Sequence, residues 1–206
     1  ADDFDGSGRL KANLPQPQFG HVAPGDIRYK DYNGDQIVDG NDAHPVGNAT
    51  VPAWNYMFSG GIKYKGFDIN VLFQGVAQRD IYLRGPNVYS FQNNGSASNL
   101  AFDSWTPTHT DATYPRLSTV DFSNNYRTST FWRRNGSYLR LRNIQLGYEL
   151  SAAVSRTLRL NSVYCYVNAT NLFTLDHLGK LGDAEQDYLL SYPLMRTVSV
   201  GLKLAF

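Results

Sequence analysis

Cysteine is all but missing. Cys165 is the only one among 206 residues, so no disulfide can close within the chain and no thiolate cluster can hold a metal. Its neighbours are strand formers, and there a cysteine is a small packed side chain before it is a nucleophile. Charge of one sign is missing as well. The 19 basic residues face 18 acidic ones, a balance that leaves no field for nucleic acid or an acidic polymer. No apolar run approaches the roughly 18 residues of a membrane helix, and the mean hydropathy is -0.40. That excludes a helical span and leaves a β-barrel open, because a barrel strand turns only every second residue to lipid. A catalytic constellation is the last absence. His21, His44, His109 and His177 stand singly in expected loops, with no serine or cysteine in a nucleophile turn nearby, so an enzyme finds no support.

What is present favours strands and turns. Tyrosine (14), phenylalanine (11) and glycine (18) are abundant, a mixture suited to pleated surfaces joined by tight connections. Five segments alternate with period two. In the first, Trp54, Tyr56, Phe58, Ile62 and Tyr64 share a face opposite Asn55, Ser59 and Lys63. In the second, Phe67, Ile69, Val71 and Phe73 oppose Asp68, Asn70 and Gln74, and Lys65-Gly66 between the two predicts a hairpin with a very short turn. The third changes phase. Leu139 and Leu141 give way to Ile144, Leu146, Tyr148 and Leu150, which predicts a bulge near Arg142-Asn143. Val163, Cys165, Val167 and Ala169 form the apolar set of the fourth. In the last, Leu194, Val198, Val200, Leu202, Leu204 and Phe206 oppose Thr197, Ser199, Gly201, Lys203 and Ala205. Tyr64, Tyr138, Tyr148 and Tyr188 read as interfacial girdle or loop-base residues.

The connections are unequal in a regular way. Those after the first and third segments are short, Lys65-Gly66 and roughly Ser151 to Arg159. Those after the second and fourth run roughly from Arg79 to Ser137 and from Thr174 to Pro193. Short turns at one end and long loops at the other are the pattern of outer-membrane barrels, whose long loops lie outside the cell. On that count the C-terminus is expected on the periplasmic side. Five strands cannot close a barrel, since an open edge in lipid leaves backbone groups unpaired. Further strands are therefore expected elsewhere. The leading ADDFDGSGRLKANLPQPQFG reads as the interior of a polar loop, so the chain is expected to be a piece of something longer.

The sharpest local motif is DYNGDQIVDGND. Asp31, Asn33, Asp35, Asp39 and Asp42 fall at positions 1, 3, 5, 9 and 12 of an EF-hand-type loop, and the carbonyl of Ile37 supplies position 7. Oxygen ligands at this spacing wrap a hard cation, so a structural calcium ion is expected, with Val38 anchoring the loop to the body. Gln36 stands where glycine is usual, and Asp42 is shorter than the usual glutamate. The long loops carry Tyr89, Phe91, Trp105, Tyr114, Arg116, Tyr126, Phe131 and Trp132. Such aromatics either present a binding surface, with Trp105, Tyr114 and Arg116 as candidate substrate contacts, or pack the loops against one another.

Several blocks carry a family resemblance: PGDIRYKDYNGDQIVDGND, VGNATVPAWNYMFSGGIKYKGFDINVLFQGV, GSYLRLRNIQLGYEL, YVNATNLFTL and YPLMRTVSVGLKLAF. In this order, and over nearly everything after Pro24, the chain resembles the C-terminal part of SusC/RagA-type TonB-dependent outer-membrane transporters. The resemblance implies an all-β fold, the C-terminal five strands of an antiparallel transmembrane barrel of about 22 strands with a plug inside it. It implies a SusD-like lipoprotein lid and uptake of oligosaccharides or peptides across the outer membrane of a Gram-negative bacterium, driven by the TonB complex. The remaining N-terminal barrel and plug would be supplied by the same transporter, and Phe206 would be the signal for barrel insertion. Residues 1–52 would form an extracellular loop region holding the calcium loop at 31–42, and 53–206 the barrel strands with their loops. The alternative is a secreted calcium-binding β-sandwich that binds glycans.

Overall fold

The structure, a computed structural model, describes residues 3–120, 124–186, 192 and 194–206; Tyr188 and Pro193 lie outside them. The chain divides into two compact units. One gathers Ala1–Gly47 and Tyr82–Arg133, the other Asn48–Ile81, Arg134–Asp187 and Ser191–Phe206. The elements are β1 (Gln16–Pro17), β2 (Ile37–Val38), β3 (Trp54–Tyr64), β4 (Phe67–Ala77), β5 (Asp80–Tyr82), β6 (Arg133–Asn135), β7 (Tyr138–Glu149), α1 (Ala152–Thr157), β8 (Ser162–Thr170), β9 (Thr174–Asp176) and β10 (Thr197–Ala205). The fold is all-β, with one short α-helix among the described residues.

The second unit is built on one antiparallel sheet in the order β10-β8-β7-β4-β3, with β9 paired to the start of β7. The five long strands are the five alternating segments, and each lies beside its neighbour in sequence. Lys65 (φ 48°) and Gly66 (φ 87°) join β3 to β4. Positive φ at both central residues is the two-residue turn whose twist matches that of the strands. The register between β4 and β7 shifts where Leu72 pairs with Asn143 and Phe73 with Leu141. Arg142 is thus the extra residue, and the expected bulge is present. β5 and β6 pair as a separate ribbon; at three residues each they are too short to announce themselves by alternation.

The first unit has little regular structure. β1 and β2 pair in parallel, and a 3₁₀ turn at Gly40–Asp42 follows. Its core is aromatic and unusually polar. Trp132, Leu83 and Val88 are buried together with Ser90, Asn124 and Asn125. Irregular backbone buries only when side chains satisfy it, and here they do. The Trp132 Nε1 donates to the Asn125 carbonyl at 2.8 Å, and the Tyr126 hydroxyl to the Ser90 carbonyl at 2.5 Å.

Candidate functional site

The register lines up side chains across the sheet. Tyr64, Phe67, Tyr148, Cys165 and Leu202 form one row; Ile62, Ile69, Leu146, Val167 and Val200 the next; Gly60, Val71, Ile144, Ala169 and Val198 a third. These rows make one apolar face that, among the described residues, nothing covers over most of its width. Ile62 is 75% exposed and Val200 80%. The bulge is what keeps the rows in phase: without Arg142, Ile144, Leu146 and Tyr148 would turn to the opposite face. That opposite face is polar and hydrogen-bonded. Lys63 pairs with Glu149 at 2.7 Å, and the Tyr164 hydroxyl donates to Asp68 at 3.0 Å while accepting from Gln145. Asn143 and Asn168 bond each other. Gly147 and Gly201 leave space that a β-carbon would take from the Tyr164 and Tyr166 rings.

A polar clamp sits at the loop end of this sheet. Arg140, 3% exposed, donates to Thr174 and Glu185 at 2.8 Å and pairs with Asp183. Arg142 donates to both Glu185 oxygens and to Asn171. Arg79 donates to the carbonyl of Ala184 at 2.6 Å, and Ala184 is wholly buried. Burial alone would push the Asp183 carboxyl up. Hydrogen bonds from the Glu185 amide and the Arg140 guanidinium outweigh it and hold the group below the ordinary carboxylate range. This clamp ties down the segment Asp183 to Glu185, and sequence reasoning missed it. The signal was available, since arginines on alternate positions of an otherwise apolar strand need partners.

In the first unit, the acidic loop turns on a left-handed residue. Gln36 adopts φ 65°, the left-handed conformation that glycine supplies in calcium loops. Val38 is 3% exposed and does anchor the loop. The carboxylates are turned onto backbone amides. Asp31 accepts from Gly34 and Gln36, Asp35 accepts from Ile37, and Asp39 from Asn41. Asp42 accepts from Tyr32 at 2.7 Å and Asp39 at 2.9 Å, bonds that hold its carboxyl below the usual range. Asn33 bonds Asp35. Among the described residues no three acidic, histidine or cysteine side chains are gathered into a metal site. The turn fits a calcium loop; the ligand sphere is not drawn together.

The loop aromatics largely pack against one another. Tyr89 stacks on Tyr126 at 4.5 Å, and Tyr114 and Phe131 meet Trp132 edge-on at 5.6 and 4.8 Å. Of the three candidate substrate contacts, Tyr114 is buried, its hydroxyl donating to the Val88 carbonyl and accepting from the Ser90 amide. Arg116 makes a two-pronged ion pair with the buried Asp26, at 2.7 and 3.0 Å. Asp26 also accepts from Ala23 and Asn125, whose own oxygen accepts from Ile27. Trp105 lies against Gly25 and, with Tyr114, lines a cavity of about 850 Å³ that also contains Tyr29, Val38 and Phe131.

No protein-family model matches the chain. TonB-dependent receptor P3 of Formosa agariphila is 28% identical over 91% of this chain and 20% of its own length. TonB-dependent receptor P26 of the same organism is 27% identical over 100% of this chain and 21% of its own length. The chain thus spans about a fifth of these relatives. The RagAB peptide importer in its closed-closed state shares the fold, with a TM-score of 0.66 and 18% identity over 85% of this chain and 20% of the importer chain. These relatives are receptors and a transporter rather than enzymes, and the chain's resemblance to SusC/RagA-type TonB-dependent receptors holds along nearly its whole length.

Proposed function

We propose that this chain is an arc of the wall of a TonB-dependent importer in a Gram-negative outer membrane. Its apolar rows meet lipid, and its polar face lines the lumen. One observation carries the reading: a five-strand sheet whose apolar rows stay in phase across every strand and are exposed over most of its width. In water such a face would have to be covered. In a bilayer it is the surface that belongs there. The remaining strands and the plug come from the rest of the transporter, a SusD-like lipoprotein caps the mouth, and the TonB complex drives uptake of oligosaccharides or peptides. The C-terminus then faces the periplasm. In the full-length protein, Val200→Arg should cost about 2–4 kcal/mol of membrane stability, whereas Ser199→Arg, one residue away on the polar face, should cost less than half of that. Refolding into lipid vesicles measures both, and equal costs would sink the reading.

The acidic loop belongs to the same proposal. Asp31, Asn33, Asp35, Asp39, Asp42 and the Ile37 carbonyl would hold a calcium ion as a structural staple, supported by the left-handed turn at Gln36. Calorimetry on chelated full-length protein should show one site, lost in Asp31→Asn/Asp35→Asn; absence of heat in the parent protein would end the idea.

A further inference from the structure

We propose that the connection between β7 and β8 is a membrane-interface anchor seated on phospholipid headgroups of the periplasmic leaflet. The inference rests on the lipid-facing reading of the sheet. The connection consists of α1 with Leu158 and Arg159 just past its end, where Arg159 turns the chain at φ 58°. Val154 and Leu158 are its exposed large apolar residues, and Arg156 and Arg159 its cations. Ser155 is the inward side, 1% exposed, while Val154 and Leu158 are 46% and 55% exposed. α1 packs against β8. On β8, Val163 belongs to the apolar set yet is only 5% exposed, although its partner on β10, Leu204, is 44% exposed. Val163 is the buried member of the β8 apolar set at the helix end of the strand, Ala169 being buried at the other end; its burial, beside the helix, puts α1 on the apolar side of the sheet.

The surroundings fit a bilayer boundary. Tyr64, Phe67, Tyr148 and Phe206 are exposed at this same end, and the Lys65 ammonium stands 5.2 Å from the Tyr64 ring centre. Aromatic rings followed by cations are what the headgroup layer selects. No acidic residue occurs between Glu149 and Asp176, so Arg156 and Arg159 have no local counter-charge within the connection. Phosphates supply it, through charge-assisted hydrogen bonds. Val154 and Leu158 meanwhile enter the upper acyl region, the depth at which amphipathic surface segments rest.

The test uses the full-length protein in liposomes, with Cys165 and any other cysteine replaced by serine. Nitroxide labels go at Leu158→Cys, at Thr157→Cys on the outward side and at Val200→Cys on the sheet. Collision with dissolved oxygen against a water-soluble nickel chelate reports depth. Leu158 should read shallow lipid, Thr157 water and Val200 deep lipid. A water-like signal at Leu158 with lipid at Val200 overturns the anchor and leaves the wall standing; water at both overturns wall and anchor together. In vesicles containing phosphatidylglycerol, Arg156→Gln/Arg159→Gln should lower retained anionic lipid by roughly fivefold per arginine. Unchanged retention would overturn the phosphate contact.

Discussion

At the scale of single residues, the loops are organised by carboxylates that collect donors. Asp103 accepts from the His109 ring at 2.8 Å, from the Thr113 amide at 3.0 Å and from the Thr113 hydroxyl at 2.5 Å. The His109 bond leads in bringing its pKa down to about 2, and the same bond raises His109 above 6.5. The signs define a window. The raised histidine contributes fully below its unfolded value and loses its contribution as pH rises through the elevated one. The depressed aspartate contributes above 3.8 and loses its share as pH falls toward 2. The 103–113 segment should therefore be held best between about pH 4 and 6.5. An NMR titration should place His109 above 6.5, and Asp103→Asn should return it toward that value. Both groups are exposed, so the expected change is in local order and not in global stability.

At the scale of elements, the strands were legible and the loops were not. Alternation found β3, β4, β7, β8 and β10, because each carries one apolar and one polar face. The phase change at Arg142 gave the bulge for the same reason. β5, β6 and β9 hold three residues each, too few to show a period. The Asp26 hub and the arginine clamp join residues up to 99 and 105 positions apart, and no local pattern encodes such pairings. In the candidate site, Gln36, standing where glycine is usual, takes a left-handed turn and Val38 is buried, while Tyr114 and Arg116 bond within their own unit. The bulge makes a sharp prediction. Deleting Arg142 should throw either Leu139 and Leu141 or Ile144, Leu146 and Tyr148 onto the wrong face, and folded protein in outer-membrane fractions should fall at least tenfold. Arg142→Ala keeps the residue count, loses only the Glu185 and Asn171 contacts, and should retain most of it. Equal loss in the two variants would assign the effect to the clamp instead.

For the molecule as a whole, a single sheet layer cannot stand by itself in water. Among the described residues, both edge strands, β3 and β10, have one unpaired side and the apolar face has no second layer over most of its width. On the proposed reading, stability comes from a surrounding assembly and from lipid. A secreted sandwich would show the reverse, with the apolar rows meeting one another in a core. Phe206, 89% exposed past the end of β10, belongs to this scale. Removing it from the full-length protein should lower membrane insertion severalfold, read as the heat-shifted band on gels; unchanged insertion would show that it is no signal.

The glycines beneath Tyr164 and Tyr166 have a consequence for passage. Because positions 147 and 201 carry no side chain, the two phenol rings can recline over the neighbouring strands instead of standing off the sheet. Headroom inside the proposed pore is thus set by two missing methyl groups. Bulk added at either site would lift a ring into the path of the cargo and tighten the bore, while the hydrocarbon-facing surface stayed as it is.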